Sequence, residues 1–532
     1  MQKTSTNNNM AESFARVVLT DTKSAHLELG IDELERLLTD SDVADLPAVV
    51  VAVAGGSGVW RSFLLRCCVR FLEHLEVTKS VDGWMNPPNE PHKHSVWRDN
   101  SAEETAGIQL WGNVFKAESP KYGPVAVVLM ETNVSLDNVS TMGSDTAIFS
   151  MSMLLSSVYV YNVSKELTER DLQNLTFFSE YASIVSAEYP KFEEVFQMLL
   201  FLVGDWQHPE EKPFGWEGGK DLLRPWIQSK SSRSEEQGEL QLNIKNTFES
   251  LECFLMPSPA ENVEWQEFKG KLSDLLETGK HHLDTVISFL LRPEMLIPKQ
   301  LSGRNMTCRD FVSSFQVYFP FFKNRQMPQP IDLLNATAFV YSKSIHDAVV
   351  KDYTSSMVEF IRKSLTSGDI SGIQEEHEKL MKECLSRYES SNIVGINKWA
   401  LWLQLVQEIS YHYSLLKGFH EALLAYRHEI RLPEKNKVDA LRDYERKVKQ
   451  LKDRFGETIL QSVKEMAHTH RIPVAEVKKR DFASVSIWIQ RSIFALLDIV
   501  VIFAPGTGQK LVPAIKTVVP TVLSAIMPPK AD

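Results

Sequence analysis

Apolar positions along the chain change their spacing twice, which divides it into three stretches of different character. Up to about residue 240 the apolar residues come in short unbroken runs. Val49–Ala54, Val125–Met130, Ser157–Val163 and Met198–Val203 read as strands buried on both faces. Arg16–Leu19 and Leu27–Leu29 predict two shorter strands, and Ile31–Leu38 a short helix. Ile108–Phe115 alternates apolar and polar residues, which predicts a strand with one wet face. Between the runs, Phe63–Leu72, Ala147–Leu155 and Asp171–Tyr181 carry apolar residues at helical spacing. Strands alternating with helices predict an α/β domain, a mostly parallel sheet with helices on both faces. Residues 80–107, with Asn86-Pro87-Pro88-Asn89-Glu90-Pro91, predict a long exposed loop.

Beyond about Leu240 the spacing turns helical throughout. Gln241–Leu251 and Glu264–Leu276 predict amphipathic helices, and Met327-Pro328-Gln329-Pro330 a linker. Leu333–Leu365, His377–Tyr388 and Val394–Leu423 predict long helices of an all-α bundle. Val438, Leu441, Tyr444, Val448, Leu451, Phe455 and Ile459 mark a further amphipathic helix. The third stretch holds two apolar runs, Ser484–Ala504 and Leu511–Met527, split by Pro505-Gly506-Thr507-Gly508. The first run is long enough to span a bilayer, but Arg491 and Asp498 oppose insertion. The basic Lys478-Lys479-Arg480 before it suits a cytosolic flank. The expected organisation is a disordered tail over 1–14, the α/β domain over 15–326, and the bundle over 327–430. An amphipathic segment over 431–483 and an apolar, membrane-associating tail over 484–532 follow.

The net charge of −11 argues against nucleic acid as a partner, since phosphate contacts need a basic face. The five cysteines are scattered without metal spacing and read as reduced cytosolic thiols. The N-terminus is polar and carries no signal-peptide core. His92 and His94 lie near Glu90 without a third ligand at matching spacing, and His281, His282, His468 and His470 read as surface residues.

The most informative chemistry lies at Ala54–Phe63, Ala-Gly-Gly-Ser-Gly-Val-Trp-Arg-Ser-Phe, between a buried strand and a helix. A phosphate-binding loop in this position places Gly, four residues, then Gly-Lys-Ser or Gly-Lys-Thr, so that backbone N–H groups wrap a phosphate. Aligned on Ser62, the first glycine is Gly55, the second is replaced by Trp60 and the lysine by Arg61.

With this loop, several segments resemble the atlastin branch of the large dynamin-type GTPases, a group that includes the guanylate-binding proteins. They are Asn89-Glu90-Pro91, Ser95-Val96-Trp97-Arg98 and Glu104-Thr105-Ala106-Gly107-Ile108-Gln109-Leu110-Trp111. Leu129-Met130-Glu131-Thr132, Val160-Tyr161-Asn162-Val163-Ser164 and Phe201-Leu202-Val203-Gly204-Asp205-Trp206 follow in order. Cys253-Phe254-Leu255-Met256-Pro257 and Thr307-Cys308-Arg309 complete the set. The resemblance implies a GTPase domain using GTP and Mg²⁺, a helical bundle, and a membrane hairpin facing the cytosol at the endoplasmic reticulum. It implies partners of the same kind, as a homodimer or a heterodimer with active family members.

The family's site maps onto Gly55, Gly58, Arg61, Ser62, Thr105, Glu131 and Asp205, with Ser62 the candidate metal ligand. Against that pattern this chain departs at several positions. The catalytic arginine's place is Gly58, and the switch threonine that completes the Mg²⁺ shell is Ala106. The switch Asp-Thr-Gln-Gly is Glu131-Thr132-Asn133-Val134, and the base-reading Arg-Asp is Gly204-Asp205. Arginine is longer and planar and does not replace the lysine's point charge. Each changed position has two readings. Arg61 binds a phosphate or pairs with a carboxylate such as Glu131; Trp60 meets a base or is buried over a vacated pocket; Asp205 reads guanine or caps the next turn. The leading expectation is a pseudo-GTPase scaffold or regulator of membrane shaping. The alternatives are an active GTPase that tethers and fuses membranes, and a soluble interaction module.

Overall fold

The computed structural model describes residues 14–20, 26–55, 58–85, 106–134, 142–173, 196–228, 247–265, 272–301, 303–324, 326–367, 372–391 and 398–429, with single positions between 175 and 184, at 267–268 and at 446–450. The apolar tail, the amphipathic segment predicted over 438–459 apart from those single positions, Asn89–Arg98 and Thr105 lie outside the described residues, as do Gly56 and Ser57. Among the described residues no helix is long and apolar enough to cross a membrane.

The chain divides into two compact units, residues 1–340 and 341–532. The first is built on β1 (Phe14–Thr20), β2 (Leu27–Leu29), β3 (Ala48–Ala54), β4 (Gly107–Trp111), β5 (Phe115–Ser119), β6 (Gly123–Asn133), β7 (Val158–Ser164), β8 (Phe196–Gly204) and β9 (Phe248–Leu255). They form a nine-stranded sheet in the order β2-β1-β4-β6-β3-β7-β8-β9, with β5 on β6. The core β6-β3-β7-β8-β9 is parallel, while β4 and β5 run antiparallel along the free edge of β6. The unbroken apolar runs become the central strands for a physical reason. Every residue of β3 and β8 is buried, which a strand covered by helices on both faces requires.

Helices α1 (Ile31–Leu38), α2 (Gly58–Thr78), α3 (Met142–Leu155), α4 (Glu169–Gln173), α5 (Trp216–Gln228), α6 (Glu277–Leu291) and α7 (Cys308–Phe322) belong to this unit. The start of α7 is fixed by a capping box. Asp310 N–H donates to Thr307 Oγ1, and the Thr307 N–H to Asp310 Oδ2. Helix α8 (Pro330–Ser367) carries the unit boundary within it, and α9 (Ile373–Ser390) and α10 (Lys398–Glu429) follow.

Several expectations need correction. Phe14, placed in a disordered tail, opens β1. Ile108–Phe115 is not one strand, because β4 ends at Trp111 and β5 starts at Phe115. Of Gln241–Leu251, the residues from Phe248 on belong not to a helix but to β9, paired in parallel with β8, and residues 241–246 lie outside the described residues. Among the described residues of Glu264–Leu276 the one helical turn is a 3₁₀ turn at Leu272–Asp274, in place of the amphipathic helix expected there. Pro330 begins α8 instead of ending a linker, a position where its missing N–H costs nothing.

Candidate functional site

The C-terminal ends of β3, β6, β7 and β8 meet at one edge of the sheet, where open α/β sheets bind ligands. The chain leaves β3 through Gly55, whose φ is +76° and whose added Cβ would lie 2.4 Å from the Asn162 carbonyl oxygen. Only glycine fits there. Helix α2 opens at Gly58, and Trp60, Arg61 and Ser62 follow in its first turns.

Arg61 points inward and is 2% exposed. It donates from Nη1 to the Gly55 carbonyl at 3.2 Å and from Nη2 to Asn133 Oδ1 at 2.9 Å. Its Nε lies 3.7 Å from Glu131 Oε1, and both side chains are buried. Ser62 Oγ donates to the same Glu131 oxygen at 3.0 Å. The Arg61–Glu131 pairing considered from the sequence is therefore present, and Asn133 and the Gly55 carbonyl join it. The same carboxylate also acts on Arg66, one turn along α2, where burial lowers the guanidinium pKa and Glu131 opposes the fall.

Trp60 is buried, as its vacated-pocket reading requires. Its Nε1 donates to Asn162 Oδ1 at 2.6 Å. Its ring lies 4.0 Å from that of Trp265, and Phe63 and Phe268 complete an aromatic cluster around the two indoles. Trp265 itself is locked by Nε1 donation to the Pro257 carbonyl at 2.7 Å.

Asp205 follows β8 with φ of +55°. Both its carboxylate oxygens lie 3.1 Å from the Trp265 backbone nitrogen, whose N–H donates to them. Burial pushes its pKa up to about 6, against the bonds from the Trp265 N–H and the Ser258 side chain; Glu264 adds to the rise and Lys165 opposes it. Lys165 is paired with Glu264 at 2.7 Å. Gly204, where the family has arginine, lies under Trp265, 3.6 Å from an added Cβ.

The structure thus gathers Gly55, Arg61, Ser62 and Glu131 into one network and sets Asp205 against the Trp60–Trp265 cluster. Gly58 opens α2, Ala106 leads into β4, and Thr105 lies outside the described residues. Sequence reasoning missed Trp265, because its partner Asp205 is distant in the chain and its own segment imitates a helix. It also misjudged His282, which is half-buried against Phe214 and Phe254. The exposed His208, Glu210 and Glu211 lie close enough to offer ligand atoms to one ion, and spacing alone did not single them out.

A glycine turn after a buried parallel strand, a helix beginning just beyond it with Ser62 in its first turns, and Asp205 at the end of a neighbouring strand fit a P-loop GTPase-type α/β domain. The chain matches the guanylate-binding protein N-terminal domain family over residues 24–299, more than half of its 532 residues. It is 34% identical to human atlastin-2 over 381 residues, 71% of this chain and 64% of the relative. It is 33% identical to human atlastin-3, covering 71% of this chain and 70% of the relative, and 34% to rat atlastin-3 with the same coverage. The chain spans just under two thirds of the atlastin-2 relatives. This chain belongs to the atlastin-type, guanylate-binding protein family of dynamin-superfamily GTPases. G domains of this family bind GTP with Mg²⁺.

Proposed function

We propose that this chain is a pseudo-GTPase of the atlastin type, a scaffold or regulator whose nucleotide-type site is filled by its own side chains. The observation that carries this is the inward Arg61, held by the Gly55 carbonyl, Asn133 and Glu131. The cation that would meet the outer phosphates is neutralised from within the protein. The other residues fit Mg·GTP no better. Ser62 donates to Glu131, Trp60 fills the place where a glycine lets a phosphate approach, and Asp205 accepts from Trp265. Phosphoryl transfer rests on positioning and charge neutralisation, and loss of an arginine finger alone is worth about 10³–10⁵ in rate. Here Gly58 stands at the finger position and Ala106 at the switch threonine.

On this reading the chain works at the endoplasmic reticulum membrane, facing the cytosol, and pairs with itself or with active family members. Family membership supports this, together with the two apolar runs of the tail. The test is GTP hydrolysis by the full chain and by Trp60→Gly/Arg61→Lys. Neither is expected to exceed background, since Gly58 and Ala106 remain. Turnover within tenfold of active relatives would overturn the proposal.

A further inference from the structure

Helix α9 is the lightly attached member of the helical unit, since of its 18 residues only Leu380, Cys384 and Tyr388 are buried. Its last turns are fastened to α8 by the Arg387–Asp352 ion pair and to α10 by Trp402 Nε1, which donates to Glu389 Oε1 at 3.0 Å. Its first three turns reach another helix through one hydrogen-bonding side chain among the described residues, His377. Tyr353 of α8 sets its Oη 2.7 Å from His377 Nδ1, and its ring meets the imidazole edge-on. On another side the imidazole is stacked on Tyr413 of α10, 3.9 Å between centroids and 7° from parallel.

Burial fixes the direction of the Tyr353 bond. Tyr353 is 0% exposed, and its hydroxyl makes no other hydrogen bond among the described residues. With the hydrogen on Nδ1, the hydroxyl's own proton would be left without an acceptor, so the hydroxyl donates and Nδ1 accepts. That arrangement needs the neutral ring, and the surroundings favour it. His377 has no ion pair among the described residues, and burial lowers its pKa below the ordinary 6.5, with Glu378 on its own helix opposing the fall. The other ionisable groups here are Tyr353 from α8, Tyr413 and Lys417 from α10, and Cys384, which acts on Tyr353. Burial holds the Tyr353 phenol well above its ordinary 10, so it keeps its proton.

Protonation turns this contact against itself. An imidazolium donates from both nitrogens, so Nδ1–H and the Tyr353 O–H face each other, and a hydroxyl that turns away finds no acceptor. Tyr413 Oη does not take up its proton, since it is buried and makes no hydrogen bond. A cation stacked on the phenol face recovers part of the loss. Lys417, whose Nζ lies 5.8 Å from the same ring centroid, reduces that gain. We propose that His377 is a pH-sensitive latch: neutral, it holds the first turns of α9 against α8 and α10, and protonated, it releases them. A histidine whose pKa is lowered in the closed state stabilises that state above its ordinary 6.5 and progressively less as pH falls below it.

The test is amide hydrogen exchange of the full chain, read by mass spectrometry on peptides from the first turns of α9. It is run at about pH 7.5 and about pH 5.5, either side of histidine titration, and corrected for the intrinsic exchange rate. Protection is expected to drop several-fold on acidification. His377→Gln offers Tyr353 an amide oxygen and does not titrate, so its protection should be the same at both pH values. His377→Phe keeps a ring on Tyr413 but offers no acceptor, so it should be poorly protected at both. Equal protection of the wild-type chain at the two pH values overturns the proposal without any variant. An acid-induced loss of the same size in His377→Gln overturns it equally, and assigns the loss to other groups such as His346, His412 or His420.

Discussion

Trp60 and Arg61 occupy adjacent positions, yet they join different parts of the sheet edge. Arg61 links the turn after β3 to the end of β6, and Trp60 links α2 to β7 and to the segment after β9. Removing one member of a buried ion pair strands the other. Arg61→Ala is expected to cost about 3–5 kcal/mol of stability, measured by chemical denaturation. Arg61→Met with Glu131→Gln should cost much less than the sum of the two single changes, because the pair is lost together. The pairing was within reach of the sequence, since both residues fall at motif positions known to meet in such folds. The Asp205–Trp265 contact was not, because no motif places Trp265.

Asp205 also sets a pH dependence. Its carboxyl has a pKa of about 6 in the folded chain against an ordinary 3.8. The folded state therefore holds this proton more tightly than the unfolded state. The associated stability is fully present below pH 3.8 and is lost as pH rises through about 6. Asp205→Asn should remove this contribution. It is measured as the difference between wild-type and variant stability across that window, and a flat difference would contradict the burial of the carboxylate.

At the scale of elements, legibility followed burial symmetry. β3, β6 and β8 were legible because central parallel strands are apolar at nearly every position. β9 was not. It pairs with β8 alone, only its ends are buried, and Phe248, Leu251, Phe254 and Leu255 fall three to four apart as in a helix. Trp265, Phe268, Leu272 and Leu275 share that spacing, yet Leu272 lies in a 3₁₀ turn and Trp265 and Phe268 pack on the Trp60–Phe63 rings. Two changes test these elements by thermal or chemical unfolding. Trp265→Ala should cost about 3–5 kcal/mol as a large-to-small change in a packed cluster. Gly55→Ala, with its positive φ and a backbone oxygen at 2.4 Å, should be destabilising by at least about 1–3 kcal/mol.

For the whole molecule, the long helices were readable from their spacing, and α8, α9 and α10 match the three expected ones closely. The buried histidines inside them were not, because helical spacing says which face a residue shares and not which polar atoms meet across helices. The tail remains a proposal at this scale. A chain ending near Val485 is expected to be released from membranes, and the full chain to resist alkaline carbonate; clean extraction of the full chain would contradict an integral hairpin. The central claim concerns the nucleotide-type site. It is tested most directly by titrating the purified full chain with a fluorescent, non-hydrolysable GTP analogue, with and without Mg²⁺. No saturable, Mg²⁺-dependent binding is expected at concentrations that saturate active relatives. Saturation there, reversed by unlabelled GTP and abolished by Asp205→Ala, would contradict it.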